Sequence, residues 1–137
     1  MLHLQKLAVG IRDRAHLAAV QAARAEAHPP LRHITRHIPK RAAEILAGGS
    51  IYWVIAGTMS LRQRVLAITP AQREDGSAAC ALALDPALVR VAARPVKAFQ
   101  GWRYLAPAQA PPDLAAGAED DDLPPDLAEA LRALALL

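Results

Sequence analysis

Residues 32–41 read RHITRHIPKR, four cations and two histidines within ten positions. In an extended chain Arg32, Ile34, Arg36 and Ile38 alternate with His33, Thr35 and His37, so one face carries the arginine pair. Lys40 and Arg41 follow Pro39, a residue suited to the first turn of a helix, here predicted to include KRAAEILA. Cations there oppose the helix dipole. An anion would favour them, because backbone N–H groups and side chains converge at such a turn. A solvated basic face is the alternative.

Arg62 and Arg64 stand two apart in SLRQRVLAIT and project from one strand face, where paired guanidinium forks can hold phosphate or carboxylate. Ion pairs to Glu44 or Asp85 would explain them equally well. In Trp102-Arg103-Tyr104 the rings fall on one strand face and the cation on the other. Rings beside cations are what single-stranded nucleic acid recognition uses, bases stacking while cations hold phosphates. In a chain with only 4% aromatic residues, such rings also serve as core plugs.

Catalytic signatures are missing. The chain has no G-x-S-x-G, P-loop or G-x-G-x-x-G, and Gly48-Gly49-Ser50 follows a helix instead of opening one. His33 and His37 have metal-ligand spacing for a helix, but their segment reads as strand and no carboxylate or thiol completes a set. Cys80 alternates with Leu82 and Leu84 and reads as a small core residue. Asp120-Asp121-Asp122 reads as a solvated charge run. No catalytic residue, metal or cofactor is expected, and an enzyme is the less favoured class.

The elements that must position these residues follow from pattern. A strand is expected over Leu2–Val9, and a helix over 14–27 capped by Asp13 and stopped by Pro29-Pro30. A strand follows over 31–38, then the helix after Pro39, ended by Gly48-Gly49. SIYWVIAG is continuous, β-branched and aromatic, a strand buried on both faces. Strands at 60–69 and 78–84 flank the hairpin signal Glu74-Asp75-Gly76-Ser77. Short strands at 88–92 and 100–105 complete an α+β domain with a curled antiparallel sheet or barrel and flanking helices. That domain is expected over 1–105. An acidic Pro/Ala-rich linker follows over 106–125, then an amphipathic helix over 126–137 that docks on the body, a partner or a twin subunit.

Charge divides along the same line. Residues 1–112 hold 15 Lys/Arg against 6 Asp/Glu, a formal +9, and residues 113–137 hold one Arg against 7 acids, a formal −6. A basic body points to RNA or another polyanion, and an acidic tail to something that competes with it. One cysteine permits no internal disulfide, in keeping with a reducing compartment. MLHLQKLAVGIRDRAH has no signal-peptide pattern, and no apolar run approaches the roughly 20 residues that span a bilayer. A cytoplasmic protein without membrane contact is expected.

The segments LHLQKLAVGI, KRAAEILAGGSIYWVIAG, RQRVLAI, REDG, LDPALV and RPVKAFQGWRYL together resemble an uncharacterised family of short alphaproteobacterial proteins, known only as a domain of unknown function. The resemblance implies a bacterial, single-domain protein and brings no activity. The helix–GG–strand–Arg-rich strand–hairpin order is more loosely similar to PUA-like domains (PUA, ASCH, EVE), which implies a curled β-barrel that binds RNA. On that reading Arg36, Lys40, Arg41, Arg62, Arg64 and Arg103 meet phosphate, and Trp102 or Tyr104 stacks a base. Two rival readings stand beside it. One is an enzyme for a small anionic substrate, with Arg62 and Arg64 on the anion and His33 or His37 as base. The other is an interaction module, such as a homodimer, joined through the C-terminal helix.

Overall fold

Asp13 sets the start of the first helix: its Oδ1 accepts the backbone N–H of His16 at 2.8 Å. In a computed structural model of the chain, which describes residues 1–114, the elements run β1 (His3–Leu7), α1 (Arg14–Ala27), β2 (Arg32–Thr35), α2 (Ala42–Leu46), β3 (Ser50–Ile55), β4 (Thr58–Gln72), β5 (Ala78–Leu84), β6 (Val89–Pro95), β7 (Trp102–Leu105) and a 3-10 turn at Pro107–Gln109. The expected α+β class holds. The helix expected over 126–137 lies outside the described residues.

The seven strands form one open, mixed sheet in the order β2-β5-β4-β3-β1-β7, with β6 also on β4. This corrects the expected barrel and the purely antiparallel sheet. β1 and β3 are parallel, with Leu4 opposite Ile51 and Lys6 opposite Trp53. Parallel neighbours need a crossover, and α1, β2 and α2 together supply it. β4 is the long central strand. Its first half pairs with β3 from Ile55↔Thr58 to Ser50↔Arg64, and its second half with β5 from Val65↔Leu84 to Gln72↔Ala78. The β4–β5 turn closes as its sequence predicts. Gly76 takes φ +83°, and Asp75 accepts from both the backbone N–H and the hydroxyl of Ser77.

Every residue of β3 is buried because both sheet faces are covered. On one face lie Leu4, Ile51, Trp53, Leu61 and Val65, with Leu17 from α1 and Ile45 from α2. On the other lie Tyr52, Val54, Met59, Val91 and Leu105, against which Val96, Phe99 and Ala110 pack. Residues 106–114, read from sequence as the start of the linker, run beside β6. Ala92 N–H donates to the Pro112 carbonyl, Leu114 N–H to that of Arg90, and Val91 bridges to Asp113. Gly49 closes α2 against β1: a Cβ there would stand 2.0 Å from the Leu2 carbonyl oxygen, a separation no side chain tolerates. No helix among the described residues is long and apolar enough to cross a membrane.

Candidate functional site

The strand register sorts the candidate residues between the two faces. Across β7, β1, β3 and β4, one row reads Trp102, Lys6, Trp53, Leu61. The next row reads Arg103, Gln5, Tyr52, Arg62. Directly paired residues share a face and successive residues alternate. Trp102 and Tyr104 therefore stand on the α1 side, and Arg62, Arg64 and Arg103 on the opposite side. The eight candidates do not surround one site.

Several of them are engaged within the chain. Arg62 holds Asp113 through two hydrogen bonds of 2.6 Å and donates to Ser50 Oγ at 3.1 Å. Hydrogen bonding to Arg62 holds the Asp113 carboxyl below its ordinary range. Arg103 lies over the Phe99 ring, 4.7 Å from its centre. Arg41 is the N-cap of the five-residue α2, not part of its first turn. Its guanidinium makes a bidentate pair with Glu44 and sits 5.5 Å from the Tyr104 ring centre, and its backbone N–H donates to the Tyr104 hydroxyl. Glu44 is the acid the helix start favours, so stability accounts for Arg41 without an external anion. Lys40 and Arg64 are exposed.

Arg36 and Trp102 do come together. They line a basin of about 520 Å³ with Lys6, His37 and Arg73. The indole Nε1 of Trp102 donates to the His37 carbonyl at 3.2 Å, so β7 is tied to the segment that follows β2 although the two strands never pair. On the other flank of β2 a second basin, about 500 Å³, is lined by Arg24, His28, Arg32, His33 and Glu74. Ile34 borders both basins and is exposed on this sheet-edge strand.

Beneath them, between α1 and the sheet, a cavity of about 160 Å³ is bordered by Lys6, Leu17, Gln21, Arg24, His33 and Trp53, among others. His33 meets Trp53 edge to face, with ring centres 5.1 Å apart. Its Nε2 is buried and has no hydrogen-bond partner among the described residues. Burial, and then the positive charges of Lys6 and Arg24, pull its pKa down to about 4, so the ring is neutral at neutral pH. Burial also lowers the Lys6 pKa. Gln63 braces this region. Its Nε2 donates to Gln21 Oε1 and to the Asp85 carbonyl, while its Oε1 accepts from Trp53 Nε1 at 3.0 Å and from Gln21 Nε2.

Lys6, Arg24 and Arg73 carry no such expectation from the sequence, and Arg32 enters there only as the strand-face partner of Arg36. One signal was available for Lys6: it falls in phase with Leu2 and Leu4, a charge on an apolar face. The others gather only through the tertiary fold. Among the described residues no cluster of three or more His, Cys, Asp or Glu stands ready for a metal. Cys80 is buried, which pushes its thiol pKa up.

The family model for DUF1489, proteins of unknown function, matches residues 4–137, and the chain belongs to that family. No curated protein and no solved structure matches it. The looser likeness to PUA-like domains thus gains no support, and the open sheet argues against it.

Proposed function

Within a family that carries no assigned activity, we propose that this protein binds single-stranded RNA along the β2 edge. The observation that carries the reading is the pair of basins flanking β2. Arg24 and Arg32 line one, Lys6, Arg36 and Arg73 line the other, and Glu74 is the single acid among the described residues that line them. Phosphates lie along these cations, and a base rests against the half-buried Trp102 ring. Cation arrays of this kind raise affinity for any polyanion by releasing condensed counterions, so binding is steeply salt-dependent. Arg62, Arg64 and Arg103 belong to the opposite face and take no part.

The test is a titration of a fluorescent single-stranded RNA at several salt concentrations. Wild-type protein binds at low salt, and affinity falls as salt rises. Arg36→Ala combined with Arg73→Ala reduces the salt slope by about 1.4, since each phosphate contact on a single strand contributes about 0.7. Arg64→Ala leaves the slope unchanged. Absence of binding at low salt, or equal effects of the two sets of substitutions, overturns the proposal. An enzymatic reading that gathers Arg62, Arg64 and His33 around one substrate has no support, because the arginines and the histidine occupy opposite faces.

A further inference from the structure

The cavity beneath the β2 edge is narrower than the basins above it, about 160 Å³ against about 500 Å³. Its walls include the apolar side chains of Leu17, Leu31, Trp53 and Leu84. Three cations, Lys6, Arg24 and Arg32, border it, and among the described residues no acid does. His33 contributes the buried ring nitrogen that has no partner among the described residues. A buried polar atom left unpaired costs about 1–3 kcal/mol, and such atoms are rare in folded proteins. Lys6 is also partly desolvated, with no carboxylate hydrogen-bonded or ion-paired to it among the described residues.

We infer that this cavity is a binding site for a small aromatic carboxylate of about the size of benzoate. Volume decides the body of the ligand: an apolar cavity of about 150 Å³ is known to take a benzene ring, and this one measures about 160 Å³. The charges decide the head. A neutral apolar guest leaves both the His33 nitrogen and the Lys6 ammonium as they were. A carboxylate accepts from His33, in the tautomer that carries its proton on Nε2, and pairs with Lys6 or Arg24. Those bonds are charge-assisted, and the one from His33 is made at a buried nitrogen. The ring of the ligand then packs against Trp53 and Leu17. A neutral His33 suits this task, because it can donate without adding a further buried charge. Its low basicity makes it a poor general base near neutral pH. This inference does not depend on RNA binding, and its test contains no nucleic acid.

The experiment is an NMR titration of the full chain with benzoate, benzamide, acetate and inorganic phosphate. It follows the His33 ring nitrogens and the Trp53 indole N–H. Benzoate moves both sets of signals and saturates. Benzamide and acetate, each lacking half of the recognition, bind at least about tenfold more weakly, a difference of about 1.4 kcal/mol. Lys6→Met weakens benzoate by about tenfold, and His33→Phe weakens it too. Benzoate that leaves Trp53 and His33 undisturbed overturns the inference. So does acetate or phosphate producing the same shifts at the same concentrations, since the cations alone would then be responsible. The wild-type shifts decide the matter even if a variant fails to fold.

Discussion

Arg62 and Asp113, 51 positions apart, form a two-pronged pair with both hydrogen bonds at 2.6 Å. The pair fastens the segment after β7 onto the sheet face opposite α1. There it extends the cover supplied by Val96, Phe99 and Ala110. The Asp113 side chain is 46% exposed, so solvent screening limits what the contact contributes to about 1 kcal/mol. Its role is mainly to hold the segment in register, with Leu114 donating to the Arg90 carbonyl and Val91 bridged to Asp113 itself.

Asp113→Ala is therefore expected to cost about 1 kcal/mol and to speed amide hydrogen exchange at Ala92 and Leu114, whose N–H groups bond across this junction. Exchange at Leu4 and Ile51 in the sheet centre stays as in the wild type. The contribution has a pH sense. The folded-state carboxyl is held below its ordinary range, so the stabilisation is present above about pH 4 and is lost as pH falls through the folded value. Unchanged exchange at Leu114 would show that the segment is held by its backbone contacts alone.

Gln63 offers a sharper test of the core. It is fully buried on β4 and joins α1 to Trp53 and to the Asp85 carbonyl. Gln63→Met keeps the length and removes the amide. The Gln21 amide, the Trp53 indole N–H and the Asp85 carbonyl then each lose a bond without gaining water. The expected cost is about 3 kcal/mol, read from the urea midpoint. Adding Gln21→Met recovers part of that loss, because removing both members of a buried polar pair costs less than orphaning one. Strict additivity of the two substitutions would show that the amides do not act as a unit.

What the sequence disclosed and what it withheld divide along physical lines. α1 was legible because its ends are marked locally, by Asp13 and by Pro29-Pro30. β3 was legible as a strand covered on both faces because SIYWVI leaves no polar phase. The alternation at Trp102-Arg103-Tyr104 placed rings and cation on opposite faces, as the register shows. Partners were another matter. The i, i+2 spacing puts Arg62 and Arg64 on one face but cannot say that Asp113 waits there. The parallel β1–β3 pair depends on a crossover whose closure no local signal records. The strand expected over 60–69 extends through Pro70 to Gln72. The strand runs on because Pro70 lies past Arg64, where pairing with β3 has stopped, and one free edge tolerates a missing N–H. The basins flanking β2 were the least legible feature. Their cations come from β1, α1, β2, the segment after β2 and the β4–β5 turn, and of these only Arg32 and Arg36 are close in sequence.

His33 carries the last prediction. Its folded-state pKa of about 4 lies below the ordinary value of 6.5, with burial as the main cause and Lys6 and Arg24 adding to it. The unfolded chain therefore binds a proton at this position before the folded chain does. Stability is full above about pH 6.5, falls as pH drops through the window between the two values, and loses up to about 3 kcal/mol by about pH 4. His3 shifts in the same direction, through burial and then Arg62, so the whole-protein slope alone does not isolate His33. The comparison that does isolate it is His33→Phe, which retains a ring against Trp53 and removes the titration. Urea midpoints for both proteins between about pH 7 and about pH 4 should diverge as acid is added, with the wild type losing more. Parallel curves would mean that His33 is solvated in the folded protein. Its ring nitrogen would then have water as a partner, and the cavity would lose the unpaired atom that singles it out as a binding site.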